Sequence, residues 1–152
     1  MINVVIANKY KKLVDLEQVQ LAAQTVLHTL RPDTEYELTI AVEDDAHVQR
    51  LNKQYRHIDK TTDVLSFESN DLNPESGLLY LGDIIISYPM AFSQSTTAGH
   101  PVLSELQLLV VHGLLHLLGY DHAEPDEKEK MWVVQKNILD QLGVTINHYP
   151  DD

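Results

Sequence analysis

A helix that is apolar almost all round must be covered almost all round, and the stretch from Leu106 to Leu118 reads as such a helix. Leu106, Leu108, Leu109, Val110, Val111, Leu114, Leu115, Leu117 and Leu118 occupy nearly the whole circumference of a 3.6-residue repeat. The segment should therefore be the central buried helix of the fold. The longest apolar run, Leu108–Leu118, is interrupted by His112, Gly113 and His116, and is too short and too polar to span a membrane. Ser104 with Gln107 predicts the helix start by a capping-box pattern, and Glu105 suits the positive end of the helix dipole. Gly119 predicts a left-handed cap at its end.

The rest of the chain supplies the cover. Ile2–Ala7 reads as a strand. Asp15 with Gln18 opens a helix that runs to about Leu30, with Leu16, Val19, Ala22, Ala23, Val26, Leu27 and Leu30 on one face. Alternation through Tyr36–Val42 predicts a strand. Glu43–Asp45 starts a polar helix that reaches about Tyr55. Asp63–Phe67 is a short strand, Asp71–Gly77 a turn-rich loop, and Leu78–Ser87 a strand in which Gly82 marks a bulge or a close approach. Pro89 opens a helix to about Thr97, which Gly99-His100-Pro101 breaks. A last helix runs from about Pro125 to Leu142 and ends at Gly143. The order β α β α β β α α α predicts a single α+β domain over 1–152, with helices packed on a mixed sheet of about four strands.

A chain of 152 residues buries a real core without disulfides, and there is no cysteine to form one or to serve as ligand or nucleophile. That absence is compatible with a cytoplasmic protein. The N-terminus MINVVIANKYKK has no basic stretch before its apolar one, which argues against a signal peptide. Net charge is −12, which argues against nucleic-acid binding by bulk electrostatics. Its distribution is uneven. Arg50, Lys53, Arg56 and Lys60, with His57, form a small basic cluster able to hold phosphate. No Lys or Arg then lies between Thr61 and Glu127, a stretch with ten carboxylates and four of the eight histidines. A negative field with histidines suits a metal cation, although such charges also simply solvate a surface.

The informative segment is His112-Gly-Leu-Leu-His116-Leu-Leu-Gly119-Tyr-Asp-His122. His112 and His116 lie one helical turn apart on one face, at a spacing an ion with bonds of ~2 Å can bridge. Gly119 accepts positive φ and can turn the chain so that His122 comes round as a third ligand. Hydrogen-bonded core histidines are the alternative, but two imidazoles in a Leu/Val helix with a third after a glycine turn favour metal. The spacing matches the metzincin zinc proteases, with one difference: Gly113 stands where they place the glutamate that acts as general base, which disfavours peptide hydrolysis. Three ligands leave a coordination position open, and metal-bound water is acidified by the ion itself. Asp121 or the distant Asp83 could close that position. Arg56 could clamp a phosphate bidentately, or pair with Asp59 or Asp63. Asp83, a lone carboxylate in an apolar strand, reads as a partner to a metal-bound histidine or as a strand-end group bound to backbone.

Three segments in order, NKQYRHIDKTTDVLSF (52–67), LGDIIIS (81–87) and HGLLHLLGYDH (112–122), with Met131, Trp132 and Gln135 in the last helix, resemble the YbeY family of bacterial endoribonucleases, also called rRNA maturation factors. The resemblance covers nearly the whole chain, with no departure at the motif positions. It implies a single α+β domain with a three-histidine zinc site and a single-strand-specific, metal-dependent endoribonuclease. It implies action in 16S rRNA 3′-end maturation and late-stage 70S ribosome quality control. His112, His116 and His122 would be the metal ligands, with Arg56 and His112 as catalytic residues. One zinc ion per chain is expected, with other divalent transition metals as alternatives. The implied RNA partner is the 16S rRNA 3′ region; the acidic balance of the chain adds an expectation of docking on small-subunit proteins, and neither DNA nor a membrane is expected as a partner. Two other readings are a non-catalytic ribosome assembly factor with a structural metal, and a metal hydrolase on another substrate.

Overall fold

Alternating apolar residues at the N-terminus and through Tyr36–Glu43 pair side by side to start a sheet. The structure, a computed structural model, describes residues 1–146, 148 and 150. Its strands are β1 (Ile2–Ile6), β2 (Tyr36–Glu43), β3 (Val64–Leu72) and β4 (Leu79–Ser87), in the spatial order β1-β2-β4-β3. β1 and β4 run parallel to β2, and β3 runs antiparallel to β4 as one edge. The helices are α1 (Leu16–Leu30), α2 (Asp45–Arg56), α3 (Tyr88–Ala98), α4 (Val102–Leu117) and α5 (Pro125–Gln141). This is the expected α+β order, with a short 3₁₀ turn at Asn8–Tyr10 in addition.

The helix starts follow their caps. Asp15 accepts from the Gln18 N–H at 3.3 Å, and Asp44 from the His47 N–H at 2.8 Å. That backbone bond, with the Lys9 ammonium 3.0 Å away, holds the Asp44 carboxyl below its ordinary range. α4 departs from expectation. It begins at Val102 after Pro101, which supplies no side-chain cap, so Ser104 lies within the first turn. Gln107 donates instead to the Gln18 carbonyl on α1 at 3.0 Å, a tertiary contact that displaces the local capping box. Glu105 faces inward rather than toward solvent.

β3 is longer than expected, because pairing with β4 continues past a register shift between Glu68 and Asp71. The turn therefore tightens to residues 73–78, where Asn73 N–H donates to the Leu78 carbonyl at 2.8 Å. Gly82 marks both a bulge and a close approach: the β2–β4 register skips Leu81, and a Cβ at Gly82 would fall 2.0 Å from the Phe67 carbonyl oxygen.

The two sheet faces carry separate cores. Ala41, Leu65 and Ile85 pack with Val48 of α2 on one face. Val64, Ile84 and Ile86 join the main core on the other, where α4 packs against β3 and β4 and is covered by α1, α3 and α5. Leu106, Leu108, Leu109, Leu114 and Leu115 are fully buried, as an all-round apolar helix requires.

Candidate metal centre

α4 meets the sheet at Gly113. A Cβ there would lie 2.9 Å from Ile84 Cγ2 and 3.1 Å from Ser66 Oγ, and the Ser66 hydroxyl donates to the Gly113 carbonyl at 3.3 Å. The position where a metzincin carries its base thus points into the sheet, with no room for a side chain as long as glutamate. His112 and His116 project from another side of the helix. After Leu118, Gly119 at φ +100° reverses the chain, and its N–H donates to the His116 carbonyl at 3.0 Å.

That turn places two groups. The Tyr120 carbonyl accepts from His116 Nδ1–H at 3.0 Å, and His122 comes round to face the helix. Gln135 of α5 supplies the matching acceptor for His112: Nδ1–H donates to Oε1 at 3.1 Å. Both imidazoles are thereby oriented with Nε2 inward, and the two Nε2 atoms lie 3.1 Å apart. Facing lone pairs at that distance need a cation or proton between them. His122 Nε2 is buried and has no hydrogen-bond partner among the described residues. The ligand atoms of His112, His116 and His122 all lie within 4.8 Å of one another, a group that could hold a metal ion. The donor set and the orphaned Nε2 fit such an ion. Neither Asp121 nor Asp83 joins the group. Asp121 accepts from the His122 backbone N–H at 2.7 Å.

The centre lies in a cleft of about 380 Å³ whose lining includes Arg56, Ser66, Glu68, His116, Asp121 and His122. Arg56, the last residue of α2, reaches past the edge strand, and its Nη2–H donates to the Ser66 carbonyl at 3.1 Å. Its guanidinium lies 5.8 Å from the Phe67 ring centroid. A second cleft on the other side of β3 shares Arg56, Ser66 and Glu68 and adds Leu51, Tyr55, Phe67 and Asp83. Asp83 matches neither sequence reading. It lies on the α2 face of the sheet, where the Tyr80 hydroxyl donates to it. Burial and this bond push the Tyr80 hydroxyl above its ordinary range.

The family model described as Endoribonuclease YbeY matches residues 5–143. The chain belongs to the YbeY family. Its relatives include the Endoribonuclease YbeY of Halalkalibacterium halodurans, 44% identical with 72% of this chain and 74% of that protein covered. That of Roseiflexus castenholzii is 39% identical, with 95% and 94% covered. The solution structure of TM1509 from Thermotoga maritima superposes with a TM-score of 0.65 at 25% identity, covering 93% of this chain and 89% of that one. Within this YbeY chain, Glu68 in the cleft lining and the Tyr120 carbonyl lie outside the sequence reading, as does the role of Gln135, which enters it only as a motif residue of the last helix and here backs His112. A backbone acceptor leaves no trace in residue types, and Gln135 is separated from His112 by 23 residues.

Proposed function

We propose that this chain is a metal-dependent endoribonuclease specific for single-stranded RNA, built as a single metalloprotein domain over 1–152. It holds one zinc ion through His112, His116 and His122. The observation that carries this reading is a cleft lined by Arg56, His116 and His122, with the buried His112 completing the imidazole group. The names of the relatives supply RNA as the substrate. When bound, the metal supplies a Lewis acid for the scissile phosphate and for an attacking oxygen. Arg56 binds phosphoryl oxygens and stabilises the charge that develops on them, its guanidinium steadied by the Ser66 carbonyl. His112 is kept in one tautomer by Gln135. Tyr55, 59% exposed, and Phe67 offer a stacking surface just beyond Arg56, which only unpaired bases can reach.

The substrate assigned is the 3′ region of 16S rRNA, in its maturation and in late-stage 70S ribosome quality control in the cytoplasm. With a net charge of −12, docking on small-subunit proteins delivers the RNA better than bulk attraction does. Binding to 30S subunits should therefore weaken when those proteins are removed.

The test is cleavage of a single-stranded 16S 3′-end fragment by protein as purified, metal-stripped and zinc-restored. Activity should vanish on stripping and return with zinc. Arg56→Ala should lower it about 10²–10³-fold. Cleavage indifferent to metal and to Arg56 would overturn the proposal. A folded protein that binds 30S subunits without cleaving RNA would be an assembly factor with a structural metal.

A further inference from the structure

Two turns before His112 on the same helix, the Glu105 carboxylate is 0% exposed. Two imidazoles from separate segments converge on it. His100, in the turn between α3 and α4, places Nε2 3.0 Å from Oε1. His148, beyond α5, places Nε2 3.0 Å from Oε1 and 3.1 Å from Oε2. The two rings stack with centroids 5.5 Å apart and planes 2° apart, so both present the same edge to the carboxylate. Their ligand atoms, with the carboxylate oxygen, all lie within 4.8 Å of one another.

We propose that His100, Glu105 and His148 form a second site for a zinc-class divalent ion, one that fastens the segment after α5 to the start of α4. Two donors each about 2.0–2.2 Å from one ion stand roughly 3.0–3.5 Å apart, so the observed spacings are already those of neighbouring ligands. Two histidines and a carboxylate are a zinc donor set. Charge points the same way. A divalent ion would compensate the buried carboxylate directly, with the two imidazoles as its other ligands. The site is also reachable. The His148 side chain is 31% exposed and borders a small cavity shared with Gln135, Lys136, Asp140 and Thr145, from which water can complete the coordination.

The experiment titrates the metal-stripped full chain with Co²⁺ and with Zn²⁺, reading cobalt d–d absorption and bound equivalents. The wild-type chain should bind two equivalents. His148→Ala should bind one, and His122→Ala should also bind one, with a different cobalt spectrum. His148→Gln keeps a donor toward Glu105 but is a poor ligand, so it should retain more thermal stability than His148→Ala while still binding one equivalent. One equivalent in wild type that disappears in His122→Ala would overturn the proposal. So would a His148→Ala protein that is less stable yet still binds two, which would mark the cluster as a histidine–carboxylate ion pair only.

Discussion

Gln135 is 1% exposed, and its side-chain oxygen accepts from His112 Nδ1–H. That bond fixes the ring tautomer and holds Nε2 toward His116. Losing such a partner typically weakens metal affinity about 10–100-fold. Gln135→Leu preserves the volume and removes the acceptor, so zinc retention against a chelator should fall by that amount while the fold survives. Unchanged retention would mean that packing alone orients His112. Arg56 depends on its surroundings in the same way. Its place beside the cleft comes from the end of α2 and from the Ser66 carbonyl of an edge strand, which only folding brings together.

Elements meet here through missing side chains. α4 approaches the sheet over Gly113, and β3 approaches β4 over Gly82. The two glycines should respond differently to alanine. At Gly113 the methyl meets Ile84 Cγ2 at 2.9 Å, a side-chain atom that can shift. Overpacking costs about 1–3 kcal/mol, and a better helix former returns about 1. Gly113→Ala should therefore destabilise by roughly 1 kcal/mol. At Gly82 the methyl meets the Phe67 carbonyl oxygen at 2.0 Å, and φ is +142°. Backbone cannot move aside without breaking the ladder, so Gly82→Ala should cost at least about 3 kcal/mol or prevent folding. Urea midpoints of the two variants check the ranking, and a Gly82→Ala protein as stable as Gly113→Ala would refute it.

Over the whole molecule the net charge is −12, and Arg56 is the basic residue in the lining of both clefts, with Arg50, Lys53 and Lys60 its neighbours in sequence. Arg50, Lys53, Arg56 and Lys60 can neutralise at most four phosphates. A single strand contributes a salt slope of about −0.7 per neutralised phosphate, so log affinity against log salt should be no steeper than about −3. Anisotropy with a labelled single-stranded RNA and metal-loaded protein, at several salt concentrations, measures it. A markedly steeper slope would require a basic surface elsewhere. No helix among the described residues is long and apolar enough to cross a membrane.

The element order, the buried central helix and the convergence of His112, His116 and His122 were all legible in the residues, because each depends on local periodicity or on spacing within a single turn. α4 is buried since no orientation exposes a polar face, and the three histidines meet since a helical turn and a glycine reversal leave little else. The exceptions share one cause, which is tertiary placement: helix docking and strand pairing decide which partner each side chain meets. Gln107 binds Gln18 on α1 rather than capping its own helix. Asp83 turns to Tyr80 because strand pairing assigns it to the α2 face, away from the histidines. Glu105 is drawn inward by His100 and by His148, which lies 43 positions away. Side-chain partners separated by tens of residues are chosen by packing, which no local pattern encodes.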